Sequence, residues 1–172
     1  MGHHGTVELS PPIRRRRDGR YTIRLDPNVR TVLATLAQQL PAALEARDPI
    51  TRRLFPPAYP GAEFKEAEQE YRELVDTALI NHHRQALAVL AATAEADTLS
   101  EAELNDWLAA VGSLRLVFGT RLDVSEDMVP PDPGDPAAAE YGLYEFLGEL
   151  QYLIIEVLAA ELPEQGRPEG AL

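Results

Sequence analysis

The most concentrated chemistry in the sequence is a run of arginines near its start. The six members of this cluster are Arg14, Arg15, Arg16, Arg17, Arg20 and Arg24. Guanidinium groups bind carboxylates and phosphates through charge-assisted hydrogen bonds, so the cluster suits an acidic protein surface or a nucleic-acid backbone. A solvated edge strand that is kept from aggregating by its charge would carry the same residues. The sequence leaves both interpretations open.

A second candidate surface lies around Trp107 and Arg115, on a later predicted helix. Arg115 interrupts an otherwise apolar stripe, and a buried arginine needs a partner for its charge. An ion pair with Asp106, or with a glutamate of a neighbouring helix, is the favoured interpretation. Contact with a binding partner is the alternative.

Catalytic and metal-binding patterns are not found in the sequence. There is no cysteine, which excludes disulfides, thiolate metal sites and a thiol nucleophile in this chain. The adjacent His82 and His83 point about 100° apart on a helix and lack the spacing of a metal site. We expect His82 to be partly buried and His83 to face solvent. We therefore predict a non-enzymatic protein with no cofactor and no metal.

Five glutamates crowd one predicted helix, and we interpret them as a solvated face: Glu63, Glu66, Glu68, Glu70 and Glu73.

Charge is distributed unevenly along the chain. The net charge is -12, yet residues 1–30 carry +4, so the remaining 142 residues carry -16. An acidic body repels nucleic acid, whereas an arginine-rich arm attracts it. Protein partners are therefore favoured over direct DNA recognition. The absence of cysteine, of an apolar run near 20 residues and of a visible signal peptide predicts a cytoplasmic protein with no membrane role.

The arginine cluster should lie on a β-hairpin. Asp18-Gly19 between two short runs predicts a two-residue type I′ turn, and Tyr21, Ile23 and Leu25 form one apolar face. Alternation should place Arg14 and Arg16 on one face of the first strand, with Arg20 and Arg24 sharing a face of the second. The apolar face and unpaired strand edges of the hairpin, with the large apolar residues of the helices, predict a homodimer.

The rest of the chain shows helical periodicity, with helix starts at Asp26-Pro27, Asp48-Pro49, a Ser100-x-x-Glu103 capping box and Asp135-Pro136. The first helix should run to about Arg47, with a kink or split at Pro41. A short helix should span 50–55. A long helix over 62–96 should bend or break near Asn81, and the last helix, which is apolar on several sides, should be central.

These elements predict a mainly α fold: a single-domain helical bundle with an N-terminal β-hairpin and no other sheet. The domain should span 13–162, between a disordered lead at 1–12 and a flexible tail at 163–172.

Three segments carry a family resemblance in addition to the basic hairpin. They are Asp-Pro-Ile-Thr-Arg-Arg-Leu-Phe-Pro-Pro-Ala-Tyr-Pro (48–60), Trp-Leu-Ala-Ala-Val-Gly-Ser-Leu-Arg-Leu-Val-Phe-Gly-Thr-Arg-Leu (107–122) and Tyr-Glu-Phe-Leu-Gly-Glu-Leu-Gln-Tyr (144–152). From residue 13 to about 160, the chain resembles the AosR-like family. This is an actinobacterial domain-of-unknown-function family whose best-described member is an oxidative stress regulator.

The resemblance implies a homodimeric transcriptional regulator of stress genes that works with an alternative sigma factor. That regulator senses oxidants through a cysteine pair, which this chain lacks, so the resemblance implies partner binding without cysteine-based sensing. The alternative function is a structural or adaptor protein-protein interaction module with no DNA role.

Overall fold

The structure, a computed structural model, describes residues 10–59 and 61–160. Its strands are β1 (Ile13–Arg15), β2 (Tyr21–Ile23) and β3 (Thr98–Leu99). Its α-helices are α1 (Pro27–Glu45), α2 (Lys65–Thr93), α3 (Glu101–Arg121) and α4 (Ala138–Ala159), and 3-10 helices span Pro49–Leu54 and Ala62–Phe64. The predicted mainly α fold with an N-terminal hairpin is confirmed. The predicted lead and tail lie mostly outside the described residues, at 1–9 and 161–172.

The hairpin forms where it was predicted, but its turn is of another kind. Only Gly19 has a positive φ (81°) in this turn, and Asp18 does not. The Gly19 N–H donates to the Arg16 carbonyl (3.2 Å), and the Arg16 N–H donates to the Arg20 carbonyl (2.7 Å). The prediction of a two-residue type I′ turn was therefore wrong. Glycine takes the single left-handed position of a longer turn, as in hairpins with a G1 bulge.

A third strand, which the sequence did not predict, extends the hairpin within the same sheet, and the described residues form no other sheet. β3 runs antiparallel to β2, so the sheet order is β1-β2-β3. The Ile23 N–H also donates to the Asp97 carbonyl (2.9 Å), and on the other edge the Arg24 N–H donates to the Pro12 carbonyl (2.7 Å). The inner strand of the hairpin is therefore paired on both sides. Its side chains Tyr21 and Ile23 are buried against the helices.

The predicted capping residues begin the helices through side-chain hydrogen bonds. Asp26 Oδ1 accepts from the Asn28 N–H (2.8 Å) at α1, and Asp48 Oδ1 accepts from the Ile50 N–H (3.0 Å) at the first 3-10 helix. Ser100 and Glu103 form both hydrogen bonds of a capping box (3.1 and 2.8 Å). These bonds satisfy N–H groups that have no partner within the helix.

Two expected interruptions do not split the helices. α1 continues through Pro41, and α2 is helical through Asn81. At the last predicted start, Asp135 Oδ1 accepts from the Ala137 N–H (2.8 Å), and α4 begins one residue later. Asp135-Pro136 therefore forms the turn that leads into the helix.

The central helix is α3, and the prediction that the last helix is central was wrong. α3 packs against α1, α2, α4 and the Pro49–Leu54 helix, and ten of its residues are buried. On α4 only Leu147, Leu150 and Ile154 are buried, while Tyr152 and Ile155 are exposed. The apolar surface of α4 is thus broader than the face that the core covers.

The buried charge of the fold is Arg30, on α1. Its guanidinium donates to four main-chain carbonyls: Ile23 (2.8 Å), Leu25 (3.2 Å), Ala94 (2.8 Å) and Ala96 (2.7 Å). Two of these carbonyls follow the end of α2, where the helix dipole is negative. Arg30 therefore links the end of β2, the start of α1 and the connection between α2 and β3.

We expect Arg30→Met to lower the free energy of unfolding by about 3–5 kcal/mol, because four carbonyls that now share a guanidinium would lose their donor. Arg30→Lys should recover part of this loss, since an ammonium group can reach fewer of the carbonyls. Urea denaturation measures both effects.

The matched control is Arg84→Ala, which removes an exposed ion pair with Glu45 (2.8 Å). This change should cost less than about 1 kcal/mol. An Arg30→Met protein as stable as the Arg84→Ala protein would contradict the linking role of Arg30.

Candidate functional site

The arginine cluster forms a cationic face at the outer surface of the hairpin. In β1 Ile13 is buried while Arg14 and Arg15 are exposed, and Arg14 pairs with Thr22 across the ladder. A groove of about 280 Å³ opens at this face. Its lining residues are Ser10, Pro11, Arg14, Arg15, Arg16, Arg17, Thr22 and Arg24. We call this set the arginine face.

Arg20 does not belong to the arginine face, although alternation predicted that it shares a face with Arg24. Its Nε donates to Thr98 Oγ1 (3.1 Å), and its Nη2 donates to the Thr98 carbonyl (3.3 Å). The same Nη2 lies 3.8 Å from Glu103 Oε1. Strand β3 supplies the contacts from Thr98, and α3 supplies Glu103. Arg20 therefore ties the hairpin to the start of α3. It is not available to a partner in the way that Arg24 is.

The tip of the hairpin is an ordered charged turn. Asp18 accepts from the Arg20 N–H (3.0 Å) and pairs with Arg16 (3.0 Å). These two contacts, the backbone hydrogen bond first, hold the pKa of the Asp18 carboxyl below its usual value. The tip therefore keeps one negative charge, which is paired with Arg16.

Trp107 cannot contribute to a surface, contrary to the prediction. Its side chain is fully buried, and its Nε1–H donates to Thr93 Oγ1 (2.7 Å). The residue joins α3 to the end of α2 in the core. The apolar spacing of the helix already placed Trp107 on the inward face.

Arg115 lies at the surface between α3 and α4 without the predicted ion pair. No carboxylate of the described residues lies within 4 Å of its guanidinium, whether from Asp106 or from a glutamate of a neighbouring helix. Instead its Cζ lies 5.1 Å from the centre of the Tyr144 ring, and its Nη2 donates weakly to the Tyr144 hydroxyl (3.4 Å). Tyr144 thus replaces the expected carboxylate as the neighbour of this charge.

The three segments that carry the family resemblance meet at two glycines of the α3–α4 contact. A methyl group built on Gly119 would lie 2.9 Å from Arg53 Nη1 and 3.3 Å from a Tyr144 ring carbon. One built on Gly148 would lie 3.1 Å from Arg115 Nε. The glycines leave room for two arginines and a tyrosine. The three segments that carry the family resemblance therefore pack against one another at this contact.

The histidine pair is arranged opposite to the prediction. His82 is exposed, whereas His83 is half-buried, with Nε2 3.4 Å from the Leu54 carbonyl and Nδ1 3.2 Å from Ser113 Oγ. Because a carbonyl only accepts hydrogen bonds, the contact with Leu54 requires the proton on Nε2. The Ser113 hydroxyl, which lies beside Nδ1, also donates to the Ala109 carbonyl (3.0 Å). Burial lowers the pKa of His83.

Metal-binding geometry is not found in the described part of the chain. Within residues 10–59 and 61–160, no three His, Cys, Asp or Glu side chains form a group that could hold a metal ion. The acidic cluster of α2 is mostly exposed, and Glu68 pairs with Arg72 (3.0 Å). No helix of the described residues is long and apolar enough to cross a bilayer.

The fold and the site define a helical domain that presents a cationic hairpin face. The family model of DUF2017, a domain of unknown function, matches residues 10–158. The chain therefore belongs to this family, and its curated relatives place it among the AosR-like members.

The Mycobacterium leprae relative, named putative oxidative stress regulator AosR, is 29% identical over 134 residues, which is 68% of this chain and 62% of the relative. The oxidative stress regulator AosR of Mycobacterium tuberculosis is 38% identical over 61 residues, which is 35% of this chain and 28% of that protein. The Mycobacterium bovis protein of the same name matches to the same extent. The chain thus spans less than two thirds of the length of these relatives. No solved structure matches the chain.

The half-buried His83 should make the stability of the protein depend on pH. Its folded pKa lies below the ordinary 6.5, so the unfolded chain takes up this proton first and the proton favours unfolding. The contribution of neutral His83 to stability should be complete above about pH 6.5 and should be lost as the pH falls from there towards the folded pKa. Urea denaturation at several pH values measures this contribution as the difference in the free energy of unfolding between wild type and His83→Gln.

The exposed neighbour provides the control, because His82→Gln should leave the wild-type pH dependence unchanged. A His83→Gln protein with the same loss of stability between neutral and mildly acidic pH as wild type would contradict the assignment.

Proposed function

We propose that this chain is a non-catalytic, transcription-associated regulator that acts in the cytoplasm through a protein partner such as an alternative sigma factor. The curated relatives named oxidative stress regulators support a regulatory role. The arginine face supports a contact with an acidic partner surface.

The observation that carries the proposal is the gathering of five guanidinium groups around one groove. Arg14, Arg15, Arg16, Arg17 and Arg24 line it together, and the backbone beneath them is held by the three-stranded sheet. A preorganised set of guanidinium groups loses less conformational freedom when it binds a carboxylate-rich surface than mobile side chains would.

The overall charge favours a protein over DNA as the partner. Residues 31–172 carry -16, so long-range attraction to a phosphate backbone is weak, and binding to DNA would have to be local and strongly salt-dependent. An acidic protein meets the same repulsion, but apolar contacts and shape complementarity can compensate for it.

We expect the double variant Arg14→Ala/Arg24→Ala to fold normally but to lose most capture of the partner. Both side chains are exposed, so their removal should change the free energy of unfolding by less than about 1 kcal/mol. The measurement is retention of purified sigma factors of the host on the immobilised chain, and in vitro transcription then tests the regulatory effect.

The matched control is Arg84→Ala/Arg121→Ala, which removes the same charge from exposed ion pairs with Glu45 and Glu140. This control should capture the partner at the wild-type level. Equal capture by both double variants would refute the arginine face as the contact. Protein capture without any effect on transcription would favour the adaptor function, and salt-sensitive binding to DNA alone would favour a nucleic-acid partner.

The proposed regulator works without cysteine-based redox sensing, so an oxidant signal would have to be sensed by the partner. The chain has no cysteine, and its sulfur atoms belong to Met1 and Met128. We expect mild peroxide to leave its fold and its assembly unchanged, as measured by circular dichroism and gel filtration. A shift that a thiol reductant reverses would contradict this expectation.

A further inference from the structure

A groove of about 630 Å³ lies between α3 and α4, away from the arginine face. Arg115 forms part of its floor, and Tyr141, Tyr144 and Tyr152 line it. Tyr152 is 61% exposed, which is unusual for a tyrosine amid other apolar groups, and Ile155 beside it on α4 is 46% exposed. This is the broad apolar surface of α4 that the core leaves uncovered.

The charges of the groove follow a definite pattern. Arg115 provides a positive charge at the floor, and its Nε is shielded from solvent with no hydrogen-bond acceptor among the described residues. Glu145 and Glu149, both exposed, place negative charges at the rim. A complementary occupant would carry one acidic group between basic groups.

The hairpin tip carries the opposite set of charges, one acidic group and two basic groups. Asp18 pairs with Arg16 (3.0 Å) and directly follows Arg17 in the chain, and all three side chains are exposed. The tip also projects from the body, because a Cβ atom added to Gly19 would meet no atom within 4 Å. It can therefore enter a groove without a clash from its own chain.

The tip lies far from Arg115 of its own chain. Arg20, at the base of the tip, lies 3.8 Å from Glu103 in the first turn of α3. Arg115 follows Glu103 by twelve residues on the same helix, which is roughly 18 Å along the helix axis. A tip that contacts Arg115 must therefore come from another molecule.

We propose that the hairpin tip of one chain docks in the α3–α4 groove of a second copy, and that the second tip docks in the first groove. A two-fold exchange of this kind fills both grooves and closes the assembly. Asp18 faces Arg115 in each groove, while Arg16 and Arg17 contact the rim glutamates and the tyrosine faces. The proposal does not rest on the regulatory function, because its test is the assembly of this chain alone. Arg16 and Arg17 also line the arginine face, so a docked tip would cover part of that face.

Charge reversal in full-length protein tests the exchange. The groove variant Glu145→Lys/Glu149→Lys and the tip variant Arg16→Glu/Arg17→Glu should each raise the dimer dissociation constant at least tenfold, as measured by sedimentation velocity. An equimolar mixture of the two variants should form a heterodimer, because every tip then meets a groove of opposite charge. The wild-type dimer should weaken as salt is added.

Glu66→Lys/Glu70→Lys is the matched control, because it makes the same charge change on the exposed face of α2 and should leave the dimer intact. Arg14→Ala/Arg24→Ala should also remain dimeric, which separates assembly from partner capture. Circular dichroism verifies that each variant is folded, and Arg17→Glu alone is the milder tip variant. A monomeric wild type at tens of micromolar, a dimer insensitive to the groove variant, or a mixture that stays monomeric would overturn the proposal.

Discussion

Arg30 places a full positive charge in the interior, where the residue is only 7% exposed, and its hydrogen-bond acceptors among the described residues are all main-chain carbonyls. Four backbone carbonyls share the charge. The cost of burying a guanidinium is offset only when several of its N–H groups are hydrogen-bonded at once. The segments that provide the carbonyls must therefore be held in fixed positions. The end of β2, the start of α1 and the end of α2 must therefore meet at one point. β3 begins two residues after Ala96, so the third strand of the sheet is positioned by the same contact.

The position of the sheet decides which arginines are free to act. Because β3 pairs with β2, it brings Thr98 and Glu103 to Arg20 and removes that residue from the arginine face. The opposite edge stays open beyond β1 within the described residues, and Arg14 and Arg24 remain exposed there. The functional surface is thus selected by strand order as much as by the arginine run itself. A cationic run on a mobile arm could bind acidic partners as well, but the groove would not exist without the paired strands.

Local signals in the sequence predicted local structure well. The capping residues Asp26, Asp48 and Ser100 specify helix starts because they bond to backbone atoms only two or three residues away. The third strand could not be predicted, since two residues, Thr98 and Leu99, show no periodicity and their pairing depends on a distant strand. The central place of α3 was missed because the apolar content of α4 was taken for burial, although an exposed binding surface has the same composition. Arg30 itself left a signal: it lies at helical spacing with Leu33 and Ala37 on the buried face of α1.

Two arginines of this fold, Arg30 and Arg115, differ in how completely the chain itself compensates their charge. Each of the three guanidinium nitrogens of Arg30 donates to a main-chain carbonyl, so the residue serves the fold. Arg115 has Tyr144 as its neighbour, a shielded Nε without an acceptor and a groove above it, so its charge is only partly compensated within the chain. A partly compensated charge at a surface stabilises a complex with an acidic group more than it stabilises the isolated molecule. Glu145 and Glu149 place exposed negative charges at the rim, and Glu145 also interacts with the Tyr141 hydroxyl. The signs of these groups decide which segment the groove accepts, and the tip of the hairpin offers one acidic group, Asp18, together with Arg16 and Arg17.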